Sequence, residues 1–343
     1  MDGMATDDEG GEMTNWILMT ALPPTLGHKD LIDFAAELPG ETKVILVRRP
    51  AEPYRDERLA ALQETFEGKT NVSIIPFDDA PERLVGNEPW VPIMKALGFQ
   101  KGDRLVASEN WGQELAQLLD GTFFPYDIER GIRYTKATEV RNDTFGNWDM
   151  ILPAFQRKIA KRVVLFGAES VGKTTLAKAL KEEIPGSQWL FEYARPYLET
   201  TTGPLTREHM FDIWYGQRAL QNAVMNREKP FPVLIQDTDL YSTSGYWEFW
   251  EPETVPDGLL DDVKTYAADL YLILPSNIPF EEDPIRYGDG QREKDDEYWE
   301  GVLIRAGVNY HKLTENTVEG RVKEAMGYVT EIIPDVTYTR TDE

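Results

Sequence analysis

Apolar and polar positions along this chain follow two rhythms: short continuous apolar runs, and longer stretches with a helical period. WILMTAL (Trp16–Leu22) is an apolar run of strand length. KDLIDFAAEL (Lys29–Leu38) places Leu31, Ile32, Phe34, Ala35 and Leu38 on one helical face. KVILV (Lys43–Val47) predicts a second strand, followed by a helix from about Asp56 to Phe66. VSIIPF (Val72–Phe77) and DRLVAS (Asp103–Ser108) continue the strands, and GQELAQLL (Gly112–Leu119) supplies another helix. Strands alternating with crossover helices predict a parallel sheet in a Rossmann-like layout.

The pattern then restarts. KRVVLF (Lys161–Phe166) reads as a strand, TTLAKALKEEI (Thr174–Ile184) as a helix, and PVLIQDTD (Pro232–Asp239) and DLYLILP (Asp269–Pro275) as buried strands. Between the halves, Asn142–Lys161 is too short for a domain, and no internal repeat is visible. A chain of 343 residues suits two domains, each with its own core. The expected division is a disordered, acidic, Gly-rich leader at 1–14, an α/β domain at 15–150, a linker at 151–161 and a second α/β domain at 162–343. The boundary falls near Pro153.

Composition narrows the possible roles. Sixty acidic against 36 basic residues give a net charge of −24, which reads as a solvated acidic surface. That charge argues against non-specific binding of nucleic acid or anionic membrane, both of which need a positive field. Polyanionic substrates would need local basic groups. With no cysteine, disulfides, thiolate zinc sites and thiol nucleophiles are excluded. No apolar run reaches the length of a membrane span and the first residues are not signal-like, so the cytoplasm is the expected compartment.

The strongest chemical signal is GAESVGKT, formed by Gly167, Ala168, Glu169, Ser170, Val171, Gly172, Lys173 and Thr174, with Thr175 following. It satisfies G-x-x-x-x-G-K-[ST] between a predicted strand and a predicted helix. The loop's backbone N–H groups curl around phosphates, and the helix N-terminus adds partial positive charge. Lys173 can reach the β- and γ-phosphates, and the Thr174 hydroxyl is placed to hold Mg²⁺. The motif points to ATP or GTP and is silent about the acceptor.

Weaker clusters surround it. FEYARPY offers Glu192 and Arg195, a carboxylate able to take a hydroxyl proton and an arginine able to neutralise a transferring phosphoryl group. A surface ion pair would look the same, and both readings stand. QDTD ends a buried strand, where Asp237 would hold Mg²⁺ or ribose and Asp239 the substrate. Phe280–Lys294 gathers Arg286, Arg292 and Lys294 in a glycine-containing loop, either a lid over phosphates or a charged loop. In the first half, TALPPTLGH (Thr20–His28) occupies the first strand-to-helix turn, an anion-binding position, and His28 is one of only three histidines.

Thr25, Gly27 and His28 resemble the [HT]-x-G-H signature of the nucleotidyltransferase superfamily. ATEVRND resembles the I-S-x-T-x-I-R motif, retaining Thr138, Val140 and Arg141. Ser108, Glu109 and Gly112 look like S-E-x-x-G, FEYARPY like W-E-Y-x-R-x-Y, and IQDTD like I-D-T-D. In this order, the chain after the leader resembles the NadR-type bifunctional enzymes, which couple nicotinamide mononucleotide adenylyltransferase to ribosylnicotinamide kinase. There are departures: Met19 and Ala21 replace the usual glycine and aromatic, Thr25 replaces the first histidine of H-x-G-H, and Lys136 replaces the serine of I-S-x-T. They leave open which nucleotide the first domain accepts.

The resemblance implies two ATP-dependent, Mg²⁺-assisted steps. The 5′-hydroxyl of nicotinamide riboside attacks the γ-phosphate, giving nicotinamide mononucleotide. The phosphate of that product attacks the α-phosphorus of a second ATP, giving NAD and pyrophosphate. Thr25 and His28 would contact the ATP phosphates, Arg141 would hold the β/γ-phosphates, and Gly27 and Thr138 would line the nucleotide site. Glu109 would touch the substrate. Trp90, in GNEPWVP, resembles a G-W-x-x-W stretch and either stacks on the nicotinamide ring or simply packs in the core. The DNA-binding module of some members has no room ahead of the first strand, so no repressor role is expected. Two other readings are an adenylyltransferase for a pantetheine or flavin phosphate fused to a small-molecule kinase, and an ATP-dependent switch. A homo-oligomer is left open.

Overall fold

β1 (Asn15–Met19), α1 (Leu26–Ala36), β2 (Thr42–Arg48), α2 (Arg55–Thr65), β3 (Val72–Asp78), α3 (Trp90–Ala96), β4 (Arg104–Ala107), α4 (Trp111–Leu118) and β5 (Thr122–Pro125) follow one another in βα alternation. The structure, a computed structural model, describes residues 13–78, 86–202, 205–278 and 292–333, without the side chains of 253 and 292–295. The five strands are parallel, in the order β3-β2-β1-β4-β5. Leu105, Val106, Ile17 and Ile45 on the three central strands are fully buried, as strands covered on both faces require. The order reverses at β1, so a crevice opens beyond the carboxyl ends of β1 and β4. α5 (Ala137–Asn142) and α6 (Pro153–Ile159) follow.

Two boundaries here differ from the pattern's prediction, and both differences shape the crevice. β1 stops at Met19 instead of Leu22, because the chain turns through Ala21, whose φ is +45°. α1 starts at Leu26 instead of Lys29, because Thr25 sits extended at φ −116° and serves as its N-cap. The stretch expected to be a linker is structured instead. Ile151 forms an antiparallel bridge with Thr25, and Phe155 of α6 is buried against the edge of the Tyr54 ring.

The second unit holds β6 (Lys161–Phe166), α7 (Lys173–Glu183), β7 (Gln188–Leu190), α8 (Ala194–Thr200), α9 (Arg207–Met225), β8 (Val233–Asp237), α10 (Leu240–Trp250), α11 (Asp257–Thr265), β9 (Leu270–Ile273), α12 (Arg292–Ala306), β10 (Tyr310–Lys312) and α13 (Val318–Ile332). Its strands are also parallel, in the order β10-β9-β6-β8-β7, with the reversal at β6. Val163, Val164, Leu165 and Phe166 of β6 are fully buried, each worth about 1.5–3 kcal/mol of apolar transfer. The chain divides into two compact units, the second running Ile159–Pro334. Both are α/β units built on a parallel sheet, as the alternation predicts.

Candidate functional site

The first unit's crevice is a cavity of about 710 Å³, and Thr25, Gly27, His28, Trp90, Glu109, Thr138 and Arg141 all line it. These residues are spread over more than a hundred positions of chain, and the topology brings them to one place. His28 sits in the first turn of α1. The Thr25 backbone N–H donates to its Nδ1 at 3.1 Å, and Thr25 Oγ1 lies 2.8 Å from the same nitrogen. A ring nitrogen that accepts a backbone N–H carries no proton, so the neutral ring keeps its proton on Nε2. Desolvation, followed by the charge of Arg130, lowers the His28 pKa to about 4. At neutral pH His28 is therefore an uncharged donor in a locked tautomer.

Arg141 is only 7% exposed, and its Nη1 donates to the Leu22 carbonyl at 3.0 Å while Nη2 reaches Thr138 Oγ1 at 3.3 Å. It thus ties α5 to the loop that carries the threonine and histidine. Gly112 of S-E-x-x-G permits close packing: a Cβ there would lie 2.7 Å from the Phe123 ring. Trp90 is 8% exposed, packs against Phe77 with ring centroids 5.5 Å apart, and belongs to a core cluster with Trp16, Met94 and Leu115. Most of its ring packs in the core, and part of it reaches the cavity wall. Trp111, half-buried on the same wall, donates Nε1 to Glu109 Oε2 at 2.8 Å.

Arg49 and Arg130 also line this cavity, and no motif announced them. Arg130 pairs with Glu109 at 3.5 Å. Arg49 pairs with Glu52 at 3.0 Å, and Glu52 is in turn held by Arg58 at 2.8 Å, with both of the latter side chains fully buried. Arg58 also donates to the Thr20 carbonyl at 2.8 Å, bracing the end of β1.

In the second unit a cavity of about 510 Å³ is lined by Glu169 through Thr175, Glu192, Arg195 and Asp237. Gly167 and Gly172 adopt φ +128° and +90°, which turn the loop. A Cβ on Gly167 would lie 2.6 Å from the Leu274 carbonyl. Lys173 is buried, and its Nζ donates to the carbonyls of Gly167 at 3.0 Å and Ala168 at 2.7 Å. Thr174 Oγ1 donates to Asp237 Oδ2, while Asp237 Oδ1 is buried without a hydrogen-bond partner among the described residues. These oxygen donors, one of them orphaned, fit a hard cation such as Mg²⁺.

Thr238, after Asp237, is held at φ +72°, an unfavourable conformation for a β-branched residue, and it lines the cavity. Asp239 does not line it. This carboxylate caps α10 instead, accepting from the N–H groups of Tyr241 at 3.0 Å and Ser242 at 3.2 Å and from the Tyr271 hydroxyl at 2.7 Å. Desolvation raises its pKa to about 6, against those three bonds. Arg321 of α13 is a further brace, donating Nη1 to the Val171 carbonyl within the phosphate loop and Nη2 to the Pro275 carbonyl at 3.1 Å.

Glu192 is half-buried. Desolvation raises its pKa to about 7, opposed by Lys173 and Arg195 and supported by Asp237 and Glu169. The carboxylate therefore stands within the field of the phosphate-loop lysine. Arg195 pairs with Glu199 at 3.5 Å, and Glu192 and Arg195 both line the cavity. Beyond the polar end, Leu198, Leu205, Met210, Ile213, Tyr246 and Trp250 form an apolar wall that no motif foretold. Arg286 and the side chain of Arg292 lie outside the described residues.

A family model described as an AAA domain matches residues 162–321. The chain is 25% identical over 253 residues to the "Trifunctional NAD biosynthesis/regulator protein NadR" of Salmonella typhimurium, and equally to the protein of that name from Escherichia coli. Each alignment covers 68% of this chain and 59% of the relative, so the chain spans less than two thirds of those proteins' length. A solved structure described as NadR protein in complex with NR matches with a TM-score of 0.61 at 20% identity, covering 96% of this chain and 98% of that one. Another, of NadR protein in complex with NAD and AMP-PNP, matches with 0.63 at 21% identity over the same shares. The chain is thus similar to the NadR proteins in sequence and shares the fold of their solved structures.

Proposed function

We propose that the chain is a bifunctional enzyme of NAD synthesis. In this reading its second unit phosphorylates nicotinamide riboside, and its first joins the resulting mononucleotide to an adenylyl group from ATP. The observation that carries this reading is a pair of cavities on one chain, one lined by the Thr25–His28 turn and one by the Gly167–Thr174 loop, in a chain similar to the NadR proteins. The fold and ligands of the NadR structures support the same substrates.

In the kinase half, the loop N–H groups and Lys173 hold the ATP phosphates. Thr174 and Asp237 would hold Mg²⁺, which neutralises charge on the β- and γ-phosphates when bound. Glu192 takes the proton of the 5′-hydroxyl as that oxygen attacks the γ-phosphorus. Its raised pKa matches proton transfer near neutral pH. Arg195 neutralises the transferring group. Asp239 acts at one remove, fixing the start of α10 and the strained Thr238 beside Asp237. Leu198, Ile213, Tyr246 and Trp250 exclude water around the pyridine ring.

In the adenylyltransferase half, the mononucleotide phosphate attacks the α-phosphorus and pyrophosphate leaves. No covalent intermediate on the protein is required, so positioning and charge stabilisation carry the rate. His28 donates its Nε2–H to the leaving pyrophosphate, Thr25 keeps that tautomer, and Arg130, Arg49 and Arg141 hold the anions. Gly27 and Thr138 complete the nucleotide wall, and Glu109 with Trp111 or Trp90 meets the nicotinamide end. We place the reaction in the cytoplasm, where ATP is supplied.

The test is purified protein with ATP, Mg²⁺ and nicotinamide riboside. NAD as product supports the proposal. A different dinucleotide from another precursor, or ATP binding without turnover, would replace it with one of the two competing readings.

A further inference from the structure

Gln217 of α9 is 2% exposed yet lines the phosphate-loop cavity. Its Oε1 accepts the Tyr193 N–H at 2.9 Å. The close approach that allows this bond depends on the preceding Gly216, where a Cβ would lie 2.0 Å from the Tyr193 ring. The bond also fixes the orientation of the amide, because a flip would set the NH₂ group against an N–H. Nε2, the donor end, is consequently committed away from Tyr193. It is buried and has no hydrogen-bond partner among the described residues. Buried donors are rarely left unpaired, and an exception in a cavity wall marks a contact completed by ligand or water.

Its neighbours sharpen the point. Gln221, one turn along α9, accepts from Gln236 Nε2 at 3.3 Å, and neither of those residues lines the cavity. Of these three buried amides, Gln217 alone presents itself to the site. Glu192, adjacent to Tyr193, lines the same wall. The amide is therefore held by the residue next in sequence to the proposed base.

We propose that Gln217 Nε2 donates a hydrogen bond to an oxygen of the acceptor nucleoside, selecting the acceptor and orienting its 5′-hydroxyl toward Glu192. This rests on the kinase reading above. The shared chemistry is a neutral acceptor oxygen, which a ribose hydroxyl or the ring carboxamide carbonyl could supply.

Gln217→Glu separates this role from a structural one, since the new carboxylate still accepts the Tyr193 N–H but has no donor. The riboside KM should rise at least about tenfold, the scale of one lost hydrogen bond to a buried partner, with the ATP KM within about twofold of the parent. Gln217→Met, which removes both ends of the amide without adding charge, covers the case of a misfolded Gln217→Glu: the riboside KM should rise at least about tenfold with the ATP KM unchanged, whereas a rise in both, or in neither, would mark a structural role. Ribosides lacking one ribose hydroxyl, or carrying a thioamide, identify the oxygen: the analogue whose KM no longer responds to the substitution has lost the partner. If the parent phosphorylates the riboside and Gln217→Glu keeps its riboside KM within about twofold, Gln217 has only a structural role. A parent that never phosphorylates the riboside sinks the kinase reading itself.

Discussion

The two cavities that we propose handle phosphate are built from different materials. In the second unit the cradle is a backbone loop of eight consecutive residues, turned by Gly167 and Gly172 and carrying its own cation in Lys173. In the first, the cation set comes from side chains far apart in sequence, Arg49, Arg130 and Arg141, converging on a histidine held by its own N-cap. A backbone cradle needs glycines and a fixed spacing, so it leaves a dense signature. A side-chain cradle needs only the right topology, so it leaves scattered single residues. Both depend on buried arginines that donate to loop carbonyls: Arg58 to Thr20, Arg141 to Leu22 and Arg321 to Val171. The titrating groups differ too. His28 is held uncharged with a pKa near 4, and Glu192 is poised near 7.

The largest effects should come from removing one cradle while leaving the other. Lys173→Ala is expected to lower riboside phosphorylation by at least about 10³-fold while NAD synthesis from the mononucleotide continues. His28→Ala should do the converse, losing about 10²–10³-fold in adenylyl transfer. Loss of both activities in either folded variant would contradict separate sites. Glu192→Gln should lower kcat for the riboside by about 10²–10³-fold with ATP affinity unchanged, as removal of a general base does. Asp237→Asn should instead shift the Mg²⁺ dependence. If the two variants exchange these behaviours, so do the roles.

Next in size is the brace beneath the first cavity. Arg58→Met leaves the buried Glu52 with Arg49 as its one remaining cation and takes the donor from the Thr20 carbonyl, and should cost about 1–3 kcal/mol in denaturant unfolding. If stability is unchanged, the pair contributes nothing to holding Thr20. The smallest effect is the contrast in pH profile. A base must be deprotonated, so phosphorylation should rise with pH and reach half its plateau near 7, following Glu192. Adenylyl transfer should show no limb from His28 above about pH 5, since that ring is already neutral there. A limb near 6.5 in the adenylyl step, abolished in His28→Ala, would mean that the ring works as a cation.

The same difference in materials governs how much was legible in the sequence. Central strands are continuous apolar runs, so β1, β2, β4, β6, β8 and β9 could be read directly, with ends misplaced by a few residues where a turn such as Ala21 or a cap such as Thr25 intervenes. The short edge strands β7 and β10, three residues each, carry too few positions for any period to register. GAESVGKT predicted its own geometry. Thr25, His28, Glu109 and Arg141 were found through motif resemblance, whereas Arg49, Arg130 and Gln217 have no neighbours in sequence that mark them. Only the strand order that folds β2 and the segment after β5 around β1 makes Arg49 and Arg130 part of a site. Asp239, singled out as a substrate contact, caps a helix instead, because an Asp at a strand end serves an N-cap equally well.

The proposal of two complete and separable sites on one chain can be tested in a single vessel. Lys173→Ala and His28→Ala proteins, each unable alone to convert nicotinamide riboside to NAD, are mixed with ATP, Mg²⁺ and the riboside, and NAD is followed over time. The mixture should make NAD after a lag in which mononucleotide accumulates, because each variant supplies the step the other lacks. No NAD from the mixture, when the parent protein does make it from the riboside, would contradict two independent sites.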